Sequence, residues 1–170
     1  MTLLGSNAPL KPVLAGPSKE LLSSTAFLLK RLGWAIKERA IEAYSTTGLS
    51  PYHHAVLSLL DEGARETQGT IADALDYDRS HLVGLLDELE EQGLIERRRD
   101  SGDRRRHLVS LTPEGKKALA RLRTIARRLE DEFLAPLDAE QRETLHLLLQ
   151  RLACHHDARY AHGGSVTPGS

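Results

Sequence analysis

Six arginines flank one short polar turn. Arg97, Arg98 and Arg99 precede Asp100-Ser101-Gly102-Asp103, and Arg104, Arg105 and Arg106 follow it. Guanidinium groups fork onto phosphate oxygens through paired N–H donors, so this density of arginine implies a polyanionic partner. A solvated charge run is the simpler alternative, but six arginines about one two-stranded tip argue against it. A second group lies upstream, at Arg79-Ser80-His81. Arg79 has the geometry to fork onto guanine O6 and N7. Ser80 and His81 can bond a base edge or a phosphate, and a helix N-terminus there favours a phosphate by itself. Val83 and Gly84 face the same way, and Gly84 permits close approach to a duplex. A polar first turn with no further role is the alternative for residues 79–81.

The elements around these residues follow from apolar spacing and caps. Ser18 after Pro17 predicts the start of one long helix. Leu22, Leu29, Leu32, Ile36 and Ala40, widened by Leu21, Leu28, Ala35 and Ile41, form its stripe. Gly48 stops it as a left-handed cap. That stripe is wider than a three-helix core can cover, and a partner chain is its natural recipient. Ser50-Pro51 restarts a second helix, which Gly63 closes. Thr67 caps a short third helix with Ile71, Ala74 and Leu75. Asp76-Tyr77-Asp78 is a polar turn, and Asp78 caps a fourth helix. Its leucines, Leu82, Leu85, Leu86 and Leu89, fall at i, i+3, i+4 and i+7. This pair is a helix-turn-helix candidate whose second helix turns Arg79, Ser80, Val83, Gly84 and Asp87 outward, with His81 at the edge. Asp87 repels a polyanion, so it is expected to pair with a nearby arginine.

Residues 94–99 read as a short strand, 100–103 as a turn and 104–111 as the returning strand, together a wing. Strand alternation puts Arg97 and Arg99 on one face and Arg98 on the other, with at least one facing phosphate. Thr112-Pro113 caps a long fifth helix towards Phe133, broken by Pro136. Asp138 with Gln141 opens a last helix in a capping box, with Leu145, Leu148, Leu149 and Leu152 as its stripe.

Composition bounds the function. The chain has 170 residues, a net charge of −1 and 4% aromatics. A basic footprint must therefore be local, and a base-stacking single-strand binder would carry more aromatic faces. Acids gather elsewhere, at Asp87, Glu88, Glu90 and Glu91, at 130–132, and at Asp138, Glu140 and Glu143. One cysteine, Cys154, forms no internal disulfide and points to a reducing, cytoplasmic setting. No run approaches a membrane span. The stretch before Ser18, broken by glycine and proline, reads as a flexible arm rather than a signal peptide, and the small polar residues at the end as a disordered tail. Gly-x-Gly-x-x-Gly, His-Glu-x-x-His, Gly-x-Ser-x-Gly and phosphate-loop motifs are absent, so an enzyme is not expected.

Gly93-Leu94-Ile95-Glu96-Arg97, Asp103-Arg104-Arg105-Arg106 and Leu111-Thr112-Pro113-Glu114-Gly115 together resemble the wing and following helix start of the MarR-type transcriptional regulators. Gly48-Leu49-Ser50 and the helix order fit as well, over roughly residues 19–157. The resemblance implies a mainly α fold with a small β-hairpin wing, a winged helix-turn-helix lobe flanked by N- and C-terminal dimerisation helices. It divides the chain into an arm (1–17), a dimerisation helix (18–48), a DNA-binding lobe (49–112), a linking helix with a C-terminal dimerisation helix (113–160) and a tail (161–170). It implies a homodimer on inverted-repeat double-stranded DNA, with Arg79, Ser80, His81, Val83 and Gly84 in the major groove. The wing takes the minor groove and phosphate through Arg97, Arg98, Arg99, Arg104, Arg105 and Arg106. By the family pattern Arg105 enters the minor groove and Asp103 orients it.

Repression of nearby genes is expected, since such a dimer blocks polymerase by occupying a promoter, and the resemblance implies release by a small aromatic or acidic ligand. Arg31, Trp34, Tyr52, His53 and His54 supply a cation, donors and apolar walls for such a ligand. His54 stands where the family commonly has an aromatic. Packing and dimer contact are the alternative role for all five. No cofactor and no metal site are expected. A metal sensor would need clustered ligands that His53-His54 and Cys154-His155-His156 do not offer at helical spacing. An oxidant sensor would need a reachable, low-pKa thiol, whereas Cys154 sits beside Leu152 and Ala153. A winged-helix module that docks protein rather than DNA is the remaining alternative, and the wing arginines argue against it.

Overall fold

The computed structural model describes residues 16–63, 66–99 and 107–161. Arm residues 1–15 and tail residues 162–170 lie outside them, as do Asp103, Arg104, Arg105 and Arg106 of the wing tip. The chain divides into two units, one ending at Lys37 and one beginning at Glu38.

The first unit opens on α1 (Lys19–Ser23), where Ser18 Oγ accepts the Leu21 amide at 3.3 Å. The single helix expected from Ser18 is in fact interrupted. Ser24 is extended (φ −87°, ψ 112°), and α2 (Thr25–Tyr44) starts after it. The cause is local competition for backbone groups within Ser23-Ser24-Thr25. Ser23 Oγ donates back to the Glu20 carbonyl at 2.8 Å, while Ser24 Oγ accepts the Phe27 amide at 3.3 Å and so begins a new helix. Leu28, Leu29, Leu32, Trp34 and Ile36 are all exposed.

The second unit holds the core. α2 ends at Tyr44, a 3₁₀ turn (Ser45–Thr47) follows, and Gly48 at φ 70° closes it in the left-handed region as expected. Ser50 caps α3 (Pro51–Glu62). A two-residue strand, β1 (Glu66–Thr67), leads into α4 (Gln68–Leu75), which Thr67 caps through a box with Thr70. α5 (Arg79–Glu91) follows with Asp78 as its cap. β2 (Ile95–Arg99) and β3 (His107–Leu111) form the wing. Then come α6 (Pro113–Phe133), α7 (Ala139–His156) and a 3₁₀ turn at Ala158–Ala161.

The sheet runs β1-β3-β2, all antiparallel, with Arg97 opposite Val109 and Arg99 opposite His107. Sequence periodicity did not predict β1. Its pairing with Leu108 and Val109 is long-range and only two residues long. Val56, Leu57 and Leu60 of α3, Ile71 of α4, all four leucines of α5, Ile95, Val109, and Leu119 and Leu122 of α6 make one buried cluster. The root of the wing is fused to α6 at Gly115. A Cβ there would lie 2.0 Å from the Leu94 carbonyl oxygen. Thr112 Oγ1 accepts the Gly115 amide and donates to the Gly93 carbonyl, at 3.0 and 2.7 Å.

α7 packs differently. None of its residues is buried, and Leu147, Leu148, Leu149 and Leu152 are exposed. Among the described residues no helix is long and apolar enough to cross a membrane.

Candidate nucleic-acid interface

α4 and α5 meet at a tight turn, and the leucine spacing of α5 dictates which way its polar face looks. Leu82, Leu85, Leu86 and Leu89 are buried, which leaves Arg79, Ser80, His81, Val83 and Gly84 exposed on the other side. The Asp78 carboxylate accepts the Ser80 and His81 amides at 2.9 and 3.2 Å and the Ser80 hydroxyl as well. Those bonds, the Ser80 hydroxyl first, hold its carboxyl below the usual carboxylate range. The Ser80 hydroxyl proton is therefore committed within the cap. Arg79 makes no ion pair or side-chain hydrogen bond among the described residues, so its five donors are free. Gly84 has no internal reason to lack a side chain, because a Cβ there meets nothing within 4 Å. Glycine inside a helix costs about 1 kcal/mol relative to alanine, and no neighbouring atom of this fold recovers that cost.

The His81 ring meets Tyr52 of α3 and Tyr77 of the turn edge-on, with centroids 5.4 and 5.9 Å away, and the two tyrosines lie 5.7 Å apart. This cluster braces the first turn of α5 against α3. The sequence places Tyr77 only in a polar turn, since its partners lie on two other elements.

The wing arginines have separate environments. Arg97 turns back onto α5. Its Nε donates to Glu90 at 2.8 Å, its Nη2 to Asp87 at 2.6 Å and also to Glu90, and its backbone N–H to Glu90 at 3.2 Å. Asp87, expected to pair with an arginine, pairs with this one. Composition alone groups Glu90 with the acids that gather away from the arginines; its place one helical turn after Asp87 is the signal that the two share a partner. The side-chain hydrogen bond from Arg97 to Glu90 is the main cause that holds the Glu90 carboxyl down and the Arg97 guanidinium up from their ordinary values. Arg98 is exposed and meets Glu96 at 2.9 Å on its own strand face, consistent with a period of two. Arg99 is exposed and unpaired among the described residues.

The five candidate effector residues fall in both units. Arg31 and Trp34 belong to the first, where both are exposed, Trp34 at 63%. Tyr52, His53 and His54 belong to the second. His53 is buried and completes the cap of α3. Its Nδ1 accepts the Ser50 amide at 3.0 Å, which puts the ring proton on Nε2. Nε2 stands 3.1 Å from the Glu88 carboxylate but out of hydrogen-bond alignment. Burial lowers the His53 pKa from the usual imidazole value, and Glu88 opposes this. His54 Nδ1 lies 2.6 Å from the Tyr44 hydroxyl. Its pKa is also lowered, by burial first and then by Arg123. Cys154 is half-buried, and no group of three His, Cys, Asp or Glu among the described residues is arranged to hold a metal ion.

A helix-turn-helix with a sheet wing at its side defines a class, the winged-helix proteins. Comparison with known proteins narrows it. The MarR family pattern matches residues 47–106. A protein assigned to regulation of the hcr operon in Thauera aromatica is 36% identical over 118 residues, 69% of this chain and 71% of that one. The repressor CouR bound to a 23-mer DNA duplex superposes with a TM-score of 0.73 at 34% identity, over 79% of this chain and 96% of CouR. CouR of Rhodococcus jostii RHA1 bound to p-coumaroyl-CoA gives 0.68 at 28% identity, over 80% and 96%. The chain belongs to the MarR family of transcriptional regulators.

Proposed function

We propose that this chain is a homodimeric, sequence-specific regulator of transcription that binds double-stranded inverted-repeat DNA, represses nearby genes and is released by a small-molecule effector. One observation carries the reading: Asp78 caps the first turn of α5 and leaves Arg79 exposed and, among the described residues, unpaired, as Arg99 is on the wing. Arg79, His81, Val83 and Gly84 read the major groove, with Ser80 accepting rather than donating. Arg98 and Arg99 meet phosphate, while Arg104, Arg105 and Arg106, with Asp103 orienting Arg105, serve the minor groove. Arg97 contributes by holding the wing. The exposed leucines of α2 and α7 support residues 18–48 and 113–160 as the dimer surface, and residues 49–112 as the DNA-binding lobe. A two-fold dimer sets half-sites about one helical turn apart.

The effector is an aromatic acid or its coenzyme A thioester. Support comes from the likeness to CouR, whose structure contains p-coumaroyl-CoA, and, within the first unit, from exposed Arg31 and Trp34 as a cation and an apolar surface; in the second unit Tyr52 is exposed on α3. His53, bonded to Ser50, and His54, bonded to Tyr44, serve as supports of α3.

Fluorescence anisotropy with the upstream intergenic duplex, a scrambled duplex and two salt concentrations tests the reading. Selective binding that weakens steeply with salt is expected. Equal affinity for both duplexes at either salt would refute it. Trp34, the single tryptophan, reports the effector: p-coumaroyl-CoA is expected to quench it and to release the duplex over the same concentration range.

A further inference from the structure

The last turn of α4 has an orphan carbonyl and an uncommon backbone. The Asp76 and Tyr77 amides both bond the Ala72 carbonyl, Tyr77 at 3.0 Å, so the Asp73 carbonyl loses its expected donor at position i+4. Asp76 is left-handed at φ 55° and is the one residue besides glycine with positive φ among the described residues. Glycine or asparagine is the usual choice at such a cap, because a Cβ is unfavourable there. What aspartate adds is a carboxylate.

That carboxylate and that carbonyl share one partner from the far end of the chain. Arg159, in the 3₁₀ turn after α7, donates through Nη1 to the Asp73 carbonyl at 3.2 Å and stands 2.9 Å from Asp76 Oδ1. Its own pose is fixed locally. Nε lies 2.9 Å from each Asp157 carboxylate oxygen, and the Arg159 amide donates to Asp157 at 3.0 Å. Asp157 in turn ends α7, its amide bonding the Ala153 carbonyl at 2.9 Å. A cation at a helix C-terminus also offsets the negative end of the helix dipole, here crowded by Asp73, Asp76 and Asp78. The next residue, Tyr77, packs on His81 of the reading helix.

We propose that Arg159 is a positioning residue of the DNA-reading head: it fastens the helix-turn-helix turn to the end of α7, so that displacement of the C-terminal helix shifts the start of α5. This rests on the DNA-binding reading above.

The test uses full-length protein with Arg159→Ala and, separately, Asp76→Asn, which tolerates the left-handed backbone while removing the charge. Hydrogen exchange over residues 72–81 is expected to rise about threefold in both variants, the size an exposed ion pair sustains. Exchange over residues 115–125 and the Tm are expected to stay unchanged. The ratio of affinities for the upstream and scrambled duplexes is expected to fall by about the same factor. Arg159→Lys restores the charge without the fork and is expected to recover part of both effects. Unchanged exchange over 72–81 in both variants overturns the proposal. So does a uniform rise along the chain with a lower Tm, which would make Arg159 a general stabiliser. A wild-type protein that does not prefer its upstream duplex sinks the regulator reading and the reading role of Arg159 with it, while the exchange result still decides whether the turn is fastened.

Discussion

Replacing Arg97 with alanine separates two roles that the sequence alone left open, phosphate contact and wing support. The Arg97 side chain is 24% exposed, against 39% for Glu90 and 56% for Asp87. An exposed ion pair contributes about 0.2–1 kcal/mol, and charged hydrogen bonds reach about 1.5–3 kcal/mol only when shielded. With both carboxylates more than a third exposed, the clamp belongs near the top of the exposed range for each pair. About 1.5 kcal/mol in total, and a Tm lower by about 3–6 °C, is expected for a chain of this size. Salt sharpens the test, since the Debye length shrinks to about 3 Å at 1 M, and the difference between wild type and variant should fall by about half. A double-mutant cycle with Glu90→Gln should give a coupling of about 1 kcal/mol. DNA then discriminates the roles. A phosphate contact carries about 0.9 in the slope of log affinity against log salt, so its removal would reduce the slope by that much per protomer. A clamp residue leaves the slope unchanged while affinity falls. A slope reduced by about 0.9 with no change in Tm would refute the clamp and return Arg97 to the DNA surface.

Gly115→Ala forces a Cβ to within 2.0 Å of the Leu94 carbonyl oxygen, which already accepts the Thr112 amide at 3.1 Å. Denaturant unfolding is expected to show a loss of about 3 kcal/mol or more, at or above the usual range for overpacking. Arg79→Ala is expected to cost about 1–3 kcal/mol of discrimination at one base pair while leaving the Tm unchanged, read by anisotropy across single-base operator variants. His53 and His54 both have pKa values lowered from the usual imidazole value of 6.5. Below that value the unfolded chain binds protons that the folded chain refuses, so stability falls as pH drops through the unfolded pKa and levels off below the folded ones. Thermal melts from pH 8 to pH 5 should show this fall, and His53→Gln, which keeps a capping side chain, should shallow it.

What could be read from the sequence divides by distance along the chain. Ser50, Thr67, Asp78, Thr112 and Asp138 all cap the helices the sequence assigns to them, and Ser18 caps a helix too, though only the short α1, because a cap needs only its own side chain and an amide two or three residues on. The buried face of α5, and hence the outward direction of Arg79 and Gly84, followed from four leucines at helical spacing. The interruption at Ser24 is also local, but hydroxyl side chains that reroute backbone bonds leave the apolar period intact and so no trace in the stripe. The remaining features join distant positions. β1 pairs across 41 or more residues, and Arg159 reaches Asp73 from 86 residues away. Neither alternation nor helical period specifies such partners. The commitment of Arg97 to Glu90 depends on the angle at which β2 leaves α5, which charge and strand parity do not encode.

The small wing sheet also protects itself from other strands. A sheet edge with open amides and carbonyls is a template on which a foreign strand can add, and that route leads to insoluble assemblies. On one side β1 lies along β3, and the Thr67 amide and carbonyl are both occupied by the Thr70 hydroxyl, at 2.9 and 2.8 Å. On the other side the outward amide of Arg97 in the middle of β2 is taken by Glu90. The same carboxylate that steadies the wing therefore blunts the edge of β2, and a protein that displays a strand ribbon at its surface keeps that ribbon from recruiting its neighbours.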